Sequence, residues 1–75
     1  MKLERIGELL KEKAKLLELS NRDIAQTLVI DEGIVSKVLN GKQVNLRNYS
    51  NISNYLGLSD LTIEIGAYRT IDKVH

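Results

Sequence analysis

The 75-residue chain has no cysteine, no proline, no tryptophan and no phenylalanine, and its single histidine is the terminal His75. Without cysteine the chain forms neither a disulfide nor a thiolate metal site, so its stability depends on helix packing. We interpret His75 as a frayed chain end and not as a metal ligand or a general base. Clusters of metal ligands, glycine-rich phosphate loops and nucleophile-base pairs are also missing from the sequence. We therefore expect no enzymatic activity, no metal and no cofactor.

Long apolar runs are missing as well. No stretch approaches the roughly 20 apolar residues that span a bilayer. Lys2, Glu4, Arg5 and Glu8 place charges where a signal peptide needs an apolar run. We therefore expect a soluble cytoplasmic protein without a membrane partner. The net charge is only +1, from 11 basic and 10 acidic residues, so evidence for nucleic acid must come from local patterns.

Hydrophobic residues make up 43% of the chain, which suits one compact domain over residues 1–75. Apolar side chains recur every three or four positions near the N-terminus and predict an amphipathic first helix. Ser20 and Asp23 have the spacing of a capping box and predict the start of a short second helix. The first helix carries the stripe Leu3, Ile6, Leu10, Ala14 and Leu17, widened by Leu9 and Leu16, and the second helix carries Ile24, Ala25 and Leu28.

Two further helices follow. Asp31 is a suitable N-cap for a third helix that runs to Leu39 and ends at Asn40-Gly41, because glycine favours the left-handed conformation just past a helix. Asn45 is a suitable N-cap for a fourth helix that ends at Gly57. The fourth helix has an apolar face of Leu46, Tyr49, Ile52 and Leu56, and its other side is rich in Asn48, Ser50, Asn51, Ser53 and Asn54.

The C-terminal segment, residues 60–72, fits two structures. In one, Ser59 caps a fifth helix with a single apolar stripe. In the other, Gly66-Ala67 forms the type II′ turn of a β-hairpin in which Glu64 lies opposite Arg69. The fold prediction is therefore all-α, with four or five helices, and the tail is either the fifth helix or a hairpin.

Residues 20–41 combine a short helix, a tight connection and a second helix that ends in Asn-Gly, with the small Ala25 where two helices approach. This arrangement resembles the helix-turn-helix of the lambda repressor and Cro-like family, also called the xenobiotic-response-element type. The resemblance is carried by Ser20-Asn21-Arg22-Asp23-Ile24-Ala25-Gln26-Thr27-Leu28, Ile30-Asp31, Val35-Ser36-Lys37-Val38-Leu39-Asn40-Gly41-Lys42 and Tyr55-Leu56-Gly57-Leu58-Ser59.

The resemblance implies a transcriptional regulator of the repressor type that places the helix of residues 32–39 in the major groove of double-stranded DNA. Lys37 is expected to donate to guanine O6 and N7, and Glu32 to accept from cytosine N4. Ile34 is expected to touch a thymine methyl group, provided that it lies at the edge of the helix. By family position the base-reading residues are Glu32, Gly33, Ser36, Lys37 and Gln43, and the phosphate contacts are Asn21, Arg22, Asn40, Lys42 and Arg47. Asn40 has a second interpretation, as a left-handed turn residue.

Two features depart from the family pattern. Val29 stands where the family usually has glycine, and a β-branched residue at positive φ costs energy. Asp31 and Glu32 place two carboxylates where the third helix would approach a polyanion. The alternative function is therefore a protein-interaction module or antirepressor that keeps the fold and binds a regulatory protein. A positive rim would favour DNA over this alternative, and its expected members are Arg22, Lys37, Lys42 and Arg47.

The tail, residues 59–75, is a candidate dimerisation element. It carries more apolar side chains than one short segment buries alone. A symmetric dimer would place two recognition helices on half-sites one helical turn apart. The expected homodimer contacts are Leu61, Ile63, Ile65, Tyr68 and Ile71.

Overall fold

The computed structural model describes the backbone of residues 2–74 and the side chains of residues 2–67, and it is all-α. Its helices are α1 (Leu3–Leu16), α2 (Asn21–Leu28), α3 (Glu32–Leu39), α4 (Leu46–Tyr55) and α5 (Ser59–Val74). No strand forms within residues 2–74, so the hairpin alternative for the tail is wrong. In the same range, no helix has both the length and the apolar content needed to cross a membrane.

Side-chain caps confirm the predicted helix starts. The Asp23 N–H donates to Ser20 Oγ at 3.1 Å, and the Ser20 N–H donates to the Asp23 carboxylate at 2.9 Å, which completes the capping box. These bonds, with the one from the Ser20 backbone foremost, lower the pKa of Asp23 below its ordinary value. The Asp31 and Asn45 side chains each accept a backbone N–H at the starts of α3 and α4, at 3.2 and 3.0 Å.

The apolar stripe of α1 enters the core over most of the helix but not at its end. Ile6, Leu10 and Ala14 are buried as predicted, whereas Leu16 is 79% exposed and Leu17 is 47% exposed. Leu16 and Leu17 of the predicted stripe therefore lie outside the core. Periodicity sets the direction of a side chain, but burial also requires a neighbouring helix. α1 packs on α3 and α4, and these helices leave Leu16 and Leu17 at its end exposed.

The helices enclose one hydrophobic core with α4 in contact with all four of the others. Tyr49, Ile52 and Leu56 of α4 are buried as predicted. Apolar contacts from every helix therefore meet on α4, which fixes the positions of α2 and α3 relative to the rest of the domain. The other buried members of the core are Ile6, Leu10, Ala14, Ile24, Ala25, Val35, Val38, Leu39, Leu61 and Ile65.

Ser53 is fully buried although it belongs to the asparagine- and serine-rich side of α4. The Ser53 and Thr62 hydroxyl groups lie 2.8 Å apart, and both lie within hydrogen-bonding distance of the Leu58 carbonyl oxygen, at 3.1 and 3.0 Å. A small hydroxyl group is tolerated inside a core when it has such partners. That side of α4 therefore also contributes to the contact with α5.

α5 packs on α4 through Leu61 and Ile65, which are 9% and 1% exposed. A strand would place Ile63 on the same face as these two, but Ile63 is 69% exposed. The expected dimer surface is therefore corrected, because Leu61 and Ile65 belong to the core of their own chain. Ile63 stays available for a contact, and Tyr68 and Ile71 lie outside the described side chains.

Two glycines let α1 approach the end of α3 closely. A Cβ on Gly7 would lie 2.8 Å from the Val38 carbonyl oxygen, and a Cβ on Gly41 would lie 2.5 Å from Glu4 Cα. Gly41 also has a φ of +69°, as its predicted place after the third helix requires. The backbone of α1 and the backbone that follows α3 are thus in direct contact.

Candidate nucleic-acid interface

α2 and α3 form a packed pair joined by the three residues 29–31. The N–H groups of Val29 and Ile30 both donate to the Ala25 carbonyl oxygen, which ends α2 and reverses the chain. Asp31 then caps α3. Ala25 is only 5% exposed, so its small side chain lies in the packed interior, as predicted. The result is a compact pair of helices in which one face of α3 is turned outward.

Val29 adopts a positive φ at the position where the resembled family usually has glycine. It has φ +55° and ψ +50°, the left-handed conformation, and its side chain is 87% exposed. A β-branched residue in this region costs about 1 to 2 kcal/mol. The packed pair therefore holds a strained turn immediately before α3.

We expect Val29→Gly to raise the free energy of unfolding by about 1 kcal/mol, because glycine adopts positive φ without a Cβ clash. The gain is smaller than the full strain, since glycine also increases the entropy of the unfolded chain. Urea unfolding measures the change. Val44 is the matched control, because it is 85% exposed and does not have positive φ. Val44→Gly is expected to be neutral or destabilising, and equal gains at both positions would contradict the strain at Val29.

The outward face of α3 carries four of the five predicted base-reading residues. Glu32, Gly33 and Lys37 are exposed, and Ser36 is half-buried. The inward face comprises Val35, Val38 and Leu39, as predicted. α3 therefore presents a short acidic start, a glycine and a lysine to a ligand.

Two other residues with predicted base contacts are engaged within the chain. Ile34 is half-buried and packs against the core, so only part of its side chain is left for a thymine contact. Gln43 Oε1 accepts from the N–H groups of Val44 and Asn45 at 3.0 and 3.2 Å. The NH₂ group of Gln43 is the part of the amide left to donate to a ligand.

The predicted phosphate-binding residues are exposed, apart from Asn21, which is half-buried. Asn40 Nδ2 donates to the Ser36 carbonyl oxygen at 2.9 Å, and Asn40 has a φ of −100°. The interpretation of Asn40 as a left-handed residue is therefore wrong, because Gly41 takes that conformation. The exposed members of the predicted set are Arg22, Asn40, Lys42 and Arg47.

Within residues 20–47 four basic side chains and three acidic ones, Asp23, Asp31 and Glu32, are exposed. Within residues 2–67 the ion pair that forms is Arg5 with Glu8 on α1, at 3.0 Å, so the rim cations are not neutralised by partners in that range. Glu32 and Arg22 line a shared groove at the junction of α2 and α3, together with Asp31. The exposed rim cations are Arg22, Lys37, Lys42 and Arg47.

Val29 and Val44 are two contact candidates that pattern analysis missed. They are 87% and 85% exposed, and they lie in the connections before and after α3. Apolar side chains at these places add contact area on both sides of α3 for any ligand that covers it. In the sequence they can be recognised as apolar residues that belong to none of the predicted amphipathic stripes.

Comparison with protein-family models, with curated proteins and with solved structures gives no match. The function proposed below therefore rests on the residues and geometry of α2, α3 and the connection to α4.

Proposed function

We propose that the chain binds double-stranded DNA in a sequence-specific manner and regulates transcription in the cytoplasm, as a repressor of the lambda repressor and Cro-like helix-turn-helix type. The observation that carries the proposal is the outward face of α3, where Lys37 is exposed between the buried Val35 and Val38. A helix with its side chains is about 10 to 12 Å wide, and the major groove of B-DNA is about 12 Å wide. The exposed face of α3 is thus of a size to enter it.

The side chains around α3 suit distinct roles in this binding mode. Lys37 donates to guanine O6 and N7, and Glu32 accepts from cytosine N4. The exposed guanidinium and ammonium groups of Arg22, Lys42 and Arg47 bind phosphates and so position α3 without reading sequence. Asp31 and Glu32 repel the polyanion and weaken non-specific binding. In a symmetric dimer Ile63 would contribute to the contact between protomers.

Selection from a library of random duplexes at two salt concentrations tests the proposal. The wild-type chain is expected to enrich a common sequence, which is palindromic if a dimer binds, and its affinity is expected to fall as salt rises. Lys37→Ala is expected to lose about 1 to 3 kcal/mol of binding free energy and the preference at one base pair.

The matched control is Lys11→Ala, which removes an exposed lysine of α1 that has no proposed role. This variant is expected to enrich the wild-type sequence with little change in affinity. An equal loss in both variants would show that Lys37 supplies general attraction and does not read a base.

The acidic start of α3 favours a second candidate, a protein-interaction module or antirepressor built on the same helix pair. Asp31 and Glu32 lie beside the exposed Val29, and such a mixed acidic and apolar surface suits a basic protein partner. A folded chain that enriches no duplex at low salt would support this candidate and contradict DNA binding.

A further inference from the structure

The five glycines of the chain differ in whether the fold requires them. Gly7 and Gly41 lie against backbone atoms, and Gly41 and Gly57 have positive φ. Gly33 and Gly66 lie within helices, where an added Cβ would meet ordinary contacts or open space. A glycine at such a place lowers helix stability relative to alanine. The steric contacts of the fold therefore do not require glycine at position 33.

Gly33 leaves a notch in the outward face of α3. It lies one helical turn before Lys37 and on the opposite side of the helix from the buried Val35. A Cβ at position 33 would meet the Asp31 carboxylate at 3.8 Å, which is ordinary contact. The notch thus has the Gly33 Cα as its floor and the Asp31 carboxylate on one side, and Lys37 follows one helical turn later on the same face of α3.

The groups around the notch determine which part of a base it can bind. The Asp31 and Glu32 carboxylates repel base atoms that present lone pairs. The Gly33 N–H is engaged with Asp31 Oδ1 at 3.2 Å, so the floor does not attract an acceptor. An apolar group fits these conditions, and the apolar group of the major groove is the C5 methyl of thymine.

We propose that the notch over Gly33 receives a thymine methyl group and thereby specifies an A·T base pair, an inference that rests on the proposed DNA-binding function. Gly33 acts here through the absence of a side chain. It takes the role that the resemblance implied for Ile34, whose side chain packs partly against the core.

The test substitutes deoxyuridine for each thymine of the selected duplex in turn, which removes only the methyl group. With the wild-type chain, one position in each half-site is expected to lose about fourfold in affinity, the value for one buried methyl group. Gly33→Ala puts a methyl group on the protein instead. It is expected to bind the thymine duplex at least tenfold more weakly and to prefer uracil over thymine at that position.

Gly66→Ala is the matched control, because it adds the same methyl group to the interior of α5 in open space. Both alanine variants are expected to raise Tm by about 3 °C, since alanine is the better helix former. Gly66→Ala is expected to keep the preference for thymine over uracil, because the tail has no proposed contact with bases.

Three results would contradict the thymine contact at Gly33 but leave the proposed DNA binding intact. They are a duplex in which no thymine is sensitive to uracil, a Gly33→Ala variant with an unchanged thymine preference, and a Gly33→Ala variant with a lowered Tm, since the glycine would then serve the fold. Failure of the wild-type chain to enrich any duplex would overturn the proposed function itself and the notch with it.

Discussion

Gly41→Ala is expected to lower the free energy of unfolding by about 3 kcal/mol or more. The added methyl group would lie 2.5 Å from Glu4 Cα and 2.8 Å from the Glu4 nitrogen, and backbone atoms cannot swing aside as a side-chain tip does. Overpacking of this kind costs about 1 to 3 kcal/mol, and the φ of +69° adds about 1 to 2 kcal/mol for alanine. A domain of this size is stable by only about 4 to 11 kcal/mol. Urea unfolding followed by circular dichroism measures the loss.

Two other glycines separate the two causes. Gly7 is helical, and its Cβ would lie 2.8 Å from the Val38 carbonyl oxygen, so Gly7→Ala measures the clash without a change at positive φ, reduced by about 1 kcal/mol because alanine is the better helix former. Gly57 has φ +79° with open space around it, so Gly57→Ala measures the conformational cost alone, about 1 to 2 kcal/mol. A loss in Gly41→Ala no larger than that in Gly57→Ala would contradict the close contact between α1 and the chain after α3.

Tyr49→Ala is expected to lower the free energy of unfolding by about 3 to 5 kcal/mol, because it removes a large ring from the middle of α4 and leaves a cavity. Tyr49 is fully buried, and its hydroxyl group donates to the Gln43 carbonyl oxygen at 2.8 Å. Tyr49→Phe is the matched control that keeps the ring, and it is expected to lose about 1 kcal/mol. Similar losses in the two variants would mean that the hydrogen bond and not the ring supports the core.

The same tyrosine predicts a pH dependence. Burial raises the pKa of Tyr49 above its ordinary value of 10.0, and the negative charge of Glu4 adds to this effect. The folded chain therefore favours the protonated phenol, so the stabilisation is fully present below about pH 10 and is lost as pH rises through the pKa of the folded state. The stability advantage of the wild-type chain over Tyr49→Phe is expected to shrink above pH 10. A constant difference would contradict the raised pKa.

Features that depend only on neighbouring residues in the chain could be predicted from the sequence. Ser20, Asp31 and Asn45 start helices because their side chains accept backbone N–H groups two or three residues ahead. Gly41 ends α3 because glycine readily adopts the positive φ just past a helix. The positive φ of Val29 was expected only from the resemblance, because valine itself disfavours that conformation. The exposed face of α3 was also predictable, since helical period and the apolar Val35, Val38 and Leu39 fix which side is inward.

Features that depend on residues far apart in the sequence became visible only in the folded structure. Local periodicity does not show which helices pack against one another. That packing decides the burial of Ser53, the exposure of Leu16 and the helical form of α5. The Gly33 notch belongs to this class as well. A glycine in a sequence looks the same whether its missing Cβ avoids a clash, as at Gly7, or leaves space open to a ligand, as at Gly33. Distances to atoms far along the chain separate the two cases, because steric exclusion acts only between groups that the fold brings into contact.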